Sequence, residues 1–265
     1  MDLEKFADKK FGQNFLKSDY YKQKIIQSMP KDRLKVAEIG PGLGDLTREL
    51  IKQRNVVAFE VDKRLCEHLN NEFQDSISQG VFELRCGDVL ERWEQNTLLD
   101  EPYHLVANLP YYISTTIILK ALKDTYCRSI LVMVQKEVAL KFAAKPKERE
   151  FSALAVLAAN TGEAQICFDV EPEAFIPVPK VTSSVLLIRK TRSQEDREFE
   201  AFLKVAFKQP RKKLFSNLAT CYSKDSLQEV FIALDLDTNI RPHEATTSTY
   251  NRLFETLEYK NTIED

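Results

Sequence analysis

The 265-residue chain balances 38 basic against 40 acidic side chains and is 43% hydrophobic, which suits a soluble globular protein of one large or two smaller domains. No window approaches the ~18 uninterrupted apolar residues of a membrane span, and "DLEKFADKKFGQNF" after Met1 contains no apolar signal-peptide run, so a cytoplasmic protein without membrane association is expected. The net charge of −2 decides nothing about partners, because clustering of charge matters more than its total.

Up to about residue 190 the chain alternates short apolar, β-branched runs with amphipathic segments. "KVAEIG", "NVVAFEV", "VFELRCGD", "HLVANLP" and "SILVMVQ" have the composition of strands buried on both faces of a parallel sheet. Between them, "DLTRELIKQ", "KRLCEHLNNEFQ" and "TTIILKALKD" repeat apolar residues at three and four positions, as helices do. The alternation predicts an α/β fold, a doubly wound domain with a mostly parallel sheet. "AQICFDVEP" and "SSVLLIRK" follow, joined by a Pro-rich connection too short for a crossover helix, and predict an antiparallel pair at the sheet edge. From about 194, "QEDREFEAFLKVAFKQ", "KKLFSNLATCY", "SLQEVFIAL" and "TSTYNRLFETLEY" have helical period, which predicts a small C-terminal all-α domain. The expected boundaries are 1–192 for the first domain with its N-terminal arm and 193–265 for the second.

Chemistry concentrates in the first of these. Three of the seven glycines, Gly40, Gly42 and Gly44, fall in five residues of "EIGPGLGDLT" at a strand-to-helix junction, where the missing Cβ lets a ligand approach the backbone. Their GxGxG spacing differs from the GxGxxG of nicotinamide and flavin sites and points to S-adenosylmethionine. Glu60, twenty positions after Gly40, ends the second strand, where a carboxylate accepts from both ribose hydroxyls. Asp88 follows the third strand and is in register to accept from the adenine amine of the cofactor; a helix N-cap explains it equally well in isolation. After the fourth strand comes "NLPY", Asn108 to Tyr111. An exocyclic amine is a poor nucleophile with two N–H donors. The Asn108 side-chain oxygen and a main-chain carbonyl beside Pro110 would accept both, push the nitrogen toward tetrahedral geometry and aim its lone pair at a sulfonium methyl. Tyr111 would stack on the base, and no general base is needed.

Other side chains carry less. Cys66, Cys86, Cys127, Cys167 and Cys221 are odd in number with no CxxC pair, so they read as reduced, mostly core residues rather than a disulfide framework or zinc site. His68, His104 and His243 lack metal-ligand spacing, and no metal is expected.

With "FGQNFL", "EIGPGLGDLT", "FEVD", "GDVL", "NLPYYIST", "MVQKEVA" and "FIPVPKVTSSV" in this order, the chain resembles the ribosomal RNA adenine dimethyltransferase family of the KsgA type over most of its length. The resemblance implies a Rossmann-like methyltransferase domain followed by a helical domain, and dimethylation of the N6 atoms of two adjacent adenosines in the 3′-terminal hairpin loop of small-subunit rRNA, with S-adenosylmethionine as methyl donor. It implies cofactor contacts from Asn14, Leu16, Gly40, Gly42, Glu60, Asp88 and Asn108, a catalytic motif of Asn108, Leu109, Pro110 and Tyr111, and packing of Phe175 on the flipped base. The expected partner is small-subunit rRNA within an immature small ribosomal subunit, met by a monomer. "EFSALAV" stands where many relatives carry an "RLSV"-like segment. Three alternatives stay open: the large-subunit rRNA methyltransferases of macrolide resistance, a non-catalytic RNA-binding assembly factor, and a nicotinamide-dependent oxidoreductase. RNA contacts are expected from the basic run Lys208, Arg211, Lys212 and Lys213, with Lys141, Lys145, Lys147 and Arg149 as a second, partly neutralised run. Lys9, Lys10 and Lys17 belong to an N-terminal segment expected to act as a lid.

Overall fold

The structure, a computed structural model, describes residues 13–93, 97–193 and 195–264, with side chains to residue 258. The strands are β1 (Phe15–Leu16), β2 (Lys35–Ile39), β3 (Val56–Glu60), β4 (Phe82–Cys86), β5 (Tyr103–Asn108), β6 (Cys127–Gln135), β7 (Gly162–Val170), β8 (Phe175–Ile176) and β9 (Ser183–Lys190). The helices are α1 (Asp19–Ser28), α2 (Thr47–Leu50), α3 (Lys63–Glu72), α4 (Gln74–Ser78), α5 (Val89–Arg92), α6 (Ser114–Lys123), α7 (Lys136–Ala143), α8 (Ala153–Thr161), α9 (Arg197–Ala206), α10 (Leu214–Leu218), α11 (Lys224–Ala233) and α12 (Thr247–Glu264).

The chain forms two compact units, Met1–Ala139 with Gly162–Ser193 and Leu140–Thr161 with Gln194–Asp265. The first is built on a seven-stranded sheet of order β4-β3-β2-β5-β6-β9-β7. β2 to β6 pair in parallel, while β9 runs antiparallel to both β6 and β7. Runs such as Val56, Val57, Ala58 and Phe59 or Ile130 to Val134 are buried throughout, because helices cover both faces of a doubly wound sheet. α6 buries Ile117, Ile118, Ala121 and Leu122 along one stripe. α3 starts at an Asp62 cap that accepts from the Arg64 N–H. α2 is a single turn, shorter than "DLTRELIKQ" predicts. The strand order reverses between β2 and β5, and their carboxyl ends open the crevice where such sheets bind ligands.

A two-stranded ribbon completes that edge. β1 and β8 pair antiparallel, Phe15 with Ile176 and Leu16 with Phe175, so the segment from Gln13 to Lys17 is strapped beside the crevice.

The second unit packs Phe199, Phe202, Leu203, Phe231, Tyr250 and Leu253 into one apolar core. Residues 140–161, which the expected 1–192 boundary assigns to the first domain, cluster with this unit instead. The reason lies in packing: Phe151, Ala155 and Val156 are buried in the same core, and Asn160 and Asn251 exchange amide hydrogen bonds at 2.8 and 2.9 Å. The expectation for the cysteines also needs correction, since Cys66 and Cys86 form a disulfide. β3–β4 pairing brings the end of β4 beside the start of α3, with Cα atoms 6.2 Å apart, and a separation of twenty residues hides this in the sequence.

Candidate functional site

One cleft gathers residues from the ends of β2, β3, β4 and β5 and from the β1 strap, and it encloses ≈ 1110 Å³ of space continuous with solvent. The loop after β2 forms its floor. Gly42 has φ +63°, and a Cβ there would stand 3.0 Å from the Phe15 ring. At Gly44, φ +78°, a Cβ would meet Phe73 at 2.4 Å. The first glycine therefore lets the strap lie on the loop and the second lets the loop pack on α3. The cluster of glycines thus serves close packing as well as ligand approach.

Of the carboxylates that line the cleft, Glu60, Asp88 and Glu38 are each held differently. Glu60 is 4% exposed: Oε1 accepts from the Val61 N–H at 2.9 Å and the Asp62 N–H at 3.0 Å, and Oε2 from the Gly42 N–H at 3.2 Å. Burial raises its pKa, while these three donors oppose the rise. A carboxylate has about four acceptor positions, so one remains on Oε2 for a ligand, rather than the two oxygens expected for a diol. Asp88 caps α5, its Oδ1 accepting from the Leu90 N–H at 2.8 Å. Its Oδ2 accepts no hydrogen bond among the described residues, so cap and ligand acceptor coexist in one side chain. Glu38, which sequence reasoning passed over, is buried beneath the loop and accepts from the Thr47 hydroxyl at 2.7 Å. Burial pushes its pKa up to about 8, and the Glu60 charge adds to the rise. Its signal was an acidic residue inside an otherwise apolar strand, "KVAEI".

At the end of β5 the Asn108 amide donates from Nδ2 to the Asn14 main-chain oxygen at 2.9 Å. That bond turns Oδ1, an acceptor only, to the other side of the amide plane. Beyond it, the Pro110 carbonyl accepts from the Ile113 N–H and the Tyr111 carbonyl from Ser114 Oγ. The Leu109 carbonyl accepts no hydrogen bond among the described residues. Tyr111 is half-buried, its hydroxyl 2.8 Å from Ser183 Oγ, and burial raises its phenol above the usual tyrosine range. Ser183, on β9, carries no local sequence signal of this contact.

The structure brings Asn14, Leu16, Gly40, Gly42, Glu60, Asp88, Asn108, Leu109, Pro110 and Tyr111 to this one cleft. Phe175 is the exception and a correction: it does not line the cleft but lies 1% exposed in the core with Leu16, Val170 and Val185. Pairing of β8 with β1 turns its ring inward. Lys17 ties the strap down through a 2.7 Å ion pair with Asp45; Lys9 and Lys10 lie outside the described residues. In the second unit, Lys208, Arg211, Lys212 and Lys213 are exposed on the turn between α9 and α10 and form no salt bridge among the described residues. Among the described residues no group of acidic, Cys or His side chains could hold a metal ion, and no helix is long and apolar enough to cross a membrane.

Residues 5–258 match the family described as ribosomal RNA adenine dimethylase. A ribosomal RNA small subunit methyltransferase A from Sulfurimonas denitrificans is 51% identical over 94% of this chain and 92% of its own. The protein of that name from Helicobacter hepaticus is 45% identical over 98% and 94%. A dimethyladenosine transferase from Plasmodium falciparum superposes with a TM-score of 0.79 at 22% identity, over 93% of this chain and 98% of its own. The 23S rRNA methyltransferase ErmE gives 0.70 at 23%, over 92% and 100%. At those identities the two structures speak for the fold alone.

Proposed function

Because the chain belongs to the ribosomal RNA adenine dimethylase family, we propose that it uses S-adenosylmethionine to dimethylate N6 of two adjacent adenosines in the 3′-terminal hairpin loop of small-subunit rRNA. It acts as a cytoplasmic monomer on an immature small subunit, without a metal. Relatives at 51% and 45% identity carry the small-subunit name, which favours this reading over the large-subunit alternative.

The observation that carries the reading is the Asn108 amide held by Asn14. With Nδ2 committed, Oδ1 accepts one N–H of a flipped adenine, and the Leu109 carbonyl accepts the other. The two acceptors draw the nitrogen lone pair out of conjugation and aim it into the cleft, a contribution of position and fixed dipoles. Tyr111 stacks on the base while Ser183 fixes its ring. The amine nitrogen so held would give up one proton to water for each methyl group it gains, and no side chain needs to act as a base.

The residues present fit the methyl donor. Oε2 of Glu60 and Oδ2 of Asp88 keep acceptor capacity for a ribose hydroxyl and an adenine amine. Glu38 places a buried carboxyl where a cationic ligand would favour its ionised form. When bound, S-adenosylmethionine supplies an electrophilic methyl group on a positively charged sulfur. Exposed Lys208, Arg211, Lys212 and Lys213 hold phosphates while a loop base is splayed out.

The test is methyl transfer to small-subunit particles that lack the two dimethyladenosines, with mass spectrometry of the rRNA. Two adjacent N6,N6-dimethyladenosines are expected in the 3′-terminal hairpin. Methylation of large-subunit rRNA instead, or none, would overturn the reading.

A further inference from the structure

Apolar surface in the cleft reaches its mouth. Seven large hydrophobic side chains are exposed among the described residues, and two of them, Val61 and Tyr112, line this cleft. Val61 directly follows Glu60 at the end of β3 and is 43% exposed; Tyr112, four positions after Asn108, is 61% exposed. β3 and β4 are in register at Glu60 and Cys86, so Glu60, Val61 and Asp88 sit on adjacent strand ends.

Tyr112 belongs to that carboxylate side. Burial raises its phenol above the usual tyrosine range, and the negative charges of Asp88 and then Glu60 raise it further. Tyr111, next in the chain, differs: its hydroxyl is spent on Ser183, and burial alone raises it. The Tyr112 hydroxyl makes no hydrogen bond among the described residues, so nothing in the protein explains why this ring stands at the mouth of the cleft. A lone exposed tyrosine needs no explanation. Two exposed apolar side chains that line one cleft with a carboxylate bearing an uncommitted oxygen describe a surface for a flat heteroaromatic ring that carries an amine.

We propose that Tyr112 is a cofactor-binding residue whose ring packs, with Val61, on the adenine of S-adenosylmethionine while Asp88 accepts from the exocyclic amine. The inference rests on the S-adenosylmethionine reading of the cleft. Stacking is tolerant of base identity because every base has a π-face; the Asp88 acceptor supplies the preference for an amine.

The experiment is calorimetric titration of the intact protein with S-adenosylhomocysteine and with S-adenosylmethionine, without RNA, for wild type, Tyr112→Ala, Tyr112→Leu and Tyr112→Phe. Wild type is expected to bind both. Tyr112→Ala is expected to weaken both ligands roughly ten-fold, Tyr112→Leu less, and Tyr112→Phe by no more than about two-fold. In methyl transfer, Tyr112→Ala should raise the KM for the cofactor and leave kcat nearly unchanged. Unchanged affinity in a folded Tyr112→Ala protein would overturn the proposal, and a slower single turnover on rRNA in that variant would assign the ring to the target base. Equal losses in Tyr112→Phe and Tyr112→Ala would also overturn it, since the hydroxyl and not the ring would then act. A wild type that binds neither ligand would instead refute the cofactor reading on which the inference stands.

Discussion

Strands β3 and β5 end at the same cleft but are engaged to different degrees. Glu60, closing β3, is tied by three backbone N–H groups and keeps one acceptor position. Asn108, closing β5, is held by a single bond through Nδ2, and its oxygen is left to accept. A group that binds a cofactor gains from saturation, which fixes it in a low-dielectric floor. A group that reshapes a reacting nitrogen must keep its acceptor available until the base arrives.

Five experiments break or sharpen this contrast. The largest effect falls on the strap beside the cleft. Phe175→Ala removes a fully buried ring from the core beneath the strap, and unfolding should lose about 3–5 kcal/mol, with Phe175→Leu losing less. Denaturant melts check this; an Ala variant of wild-type stability would restore Phe175 as a candidate for the base. Next, Asn108→Ala should slow methyl transfer on rRNA by roughly 10²–10³-fold in single turnover while stability changes little, the scale of losing one preorganised hydrogen-bond partner. A loss below ten-fold would show that Leu109 suffices.

Third, Glu60→Ala should weaken S-adenosylmethionine by roughly ten- to hundred-fold and also lower the melting temperature, because three N–H donors lose their acceptor. Calorimetry and melting together test both halves; a loss of affinity without a loss of stability would mean those donors find other partners. The neighbouring Glu38 gives this half of the cleft a pH signature. Its carboxyl is neutral in the free protein below about 8 but ionises near the ordinary 4.5 when unfolded, so its burial lowers stability progressively as pH rises from 4.5 to about 8. A bound cation favours the ionised form. Between those pH values the cofactor should therefore bind with proton release and bind tighter as pH rises. Titrations in buffers of different ionisation enthalpy measure the protons, and Glu38→Gln should abolish their release.

The smallest effect lies in the second unit, where Lys212 and Lys213 are exposed. Replacing each by Glu should flatten the salt dependence of RNA binding by about 0.7–0.9 in log–log slope per lost phosphate contact, leaving cofactor affinity alone. An unchanged slope would make the run a solvated face.

Much of the cofactor half was legible because its signals are local. Glycines crowded into five residues, and acids placed one strand apart, follow from what a strand-to-helix turn needs, whatever the rest of the chain does. Glu38 was missed although "KVAEI" displayed it, because a carboxyl beneath a glycine loop reads as one polar residue in an apolar run. Tyr112 was hidden by its neighbour, since only burial and hydrogen bonding separate it from Tyr111. Residues 140–161 were misassigned because α8, "ALAVLAANT", is apolar on nearly all sides and shows no stripe to indicate which core it joins.

By itself the sequence determined the strand runs, the glycine loop and the Asn-Leu-Pro-Tyr motif, since period and composition answer to short-range geometry. Tertiary structure alone decided that Leu16 pairs with Phe175, that Asn14 orients Asn108 across 94 positions, that Cys66 meets Cys86 and that Phe175 faces the core. Each of these depends on the register between segments far apart in the chain. In a strand, a shift of one residue turns every side chain to the other face, and no local pattern records which register the packed core selects.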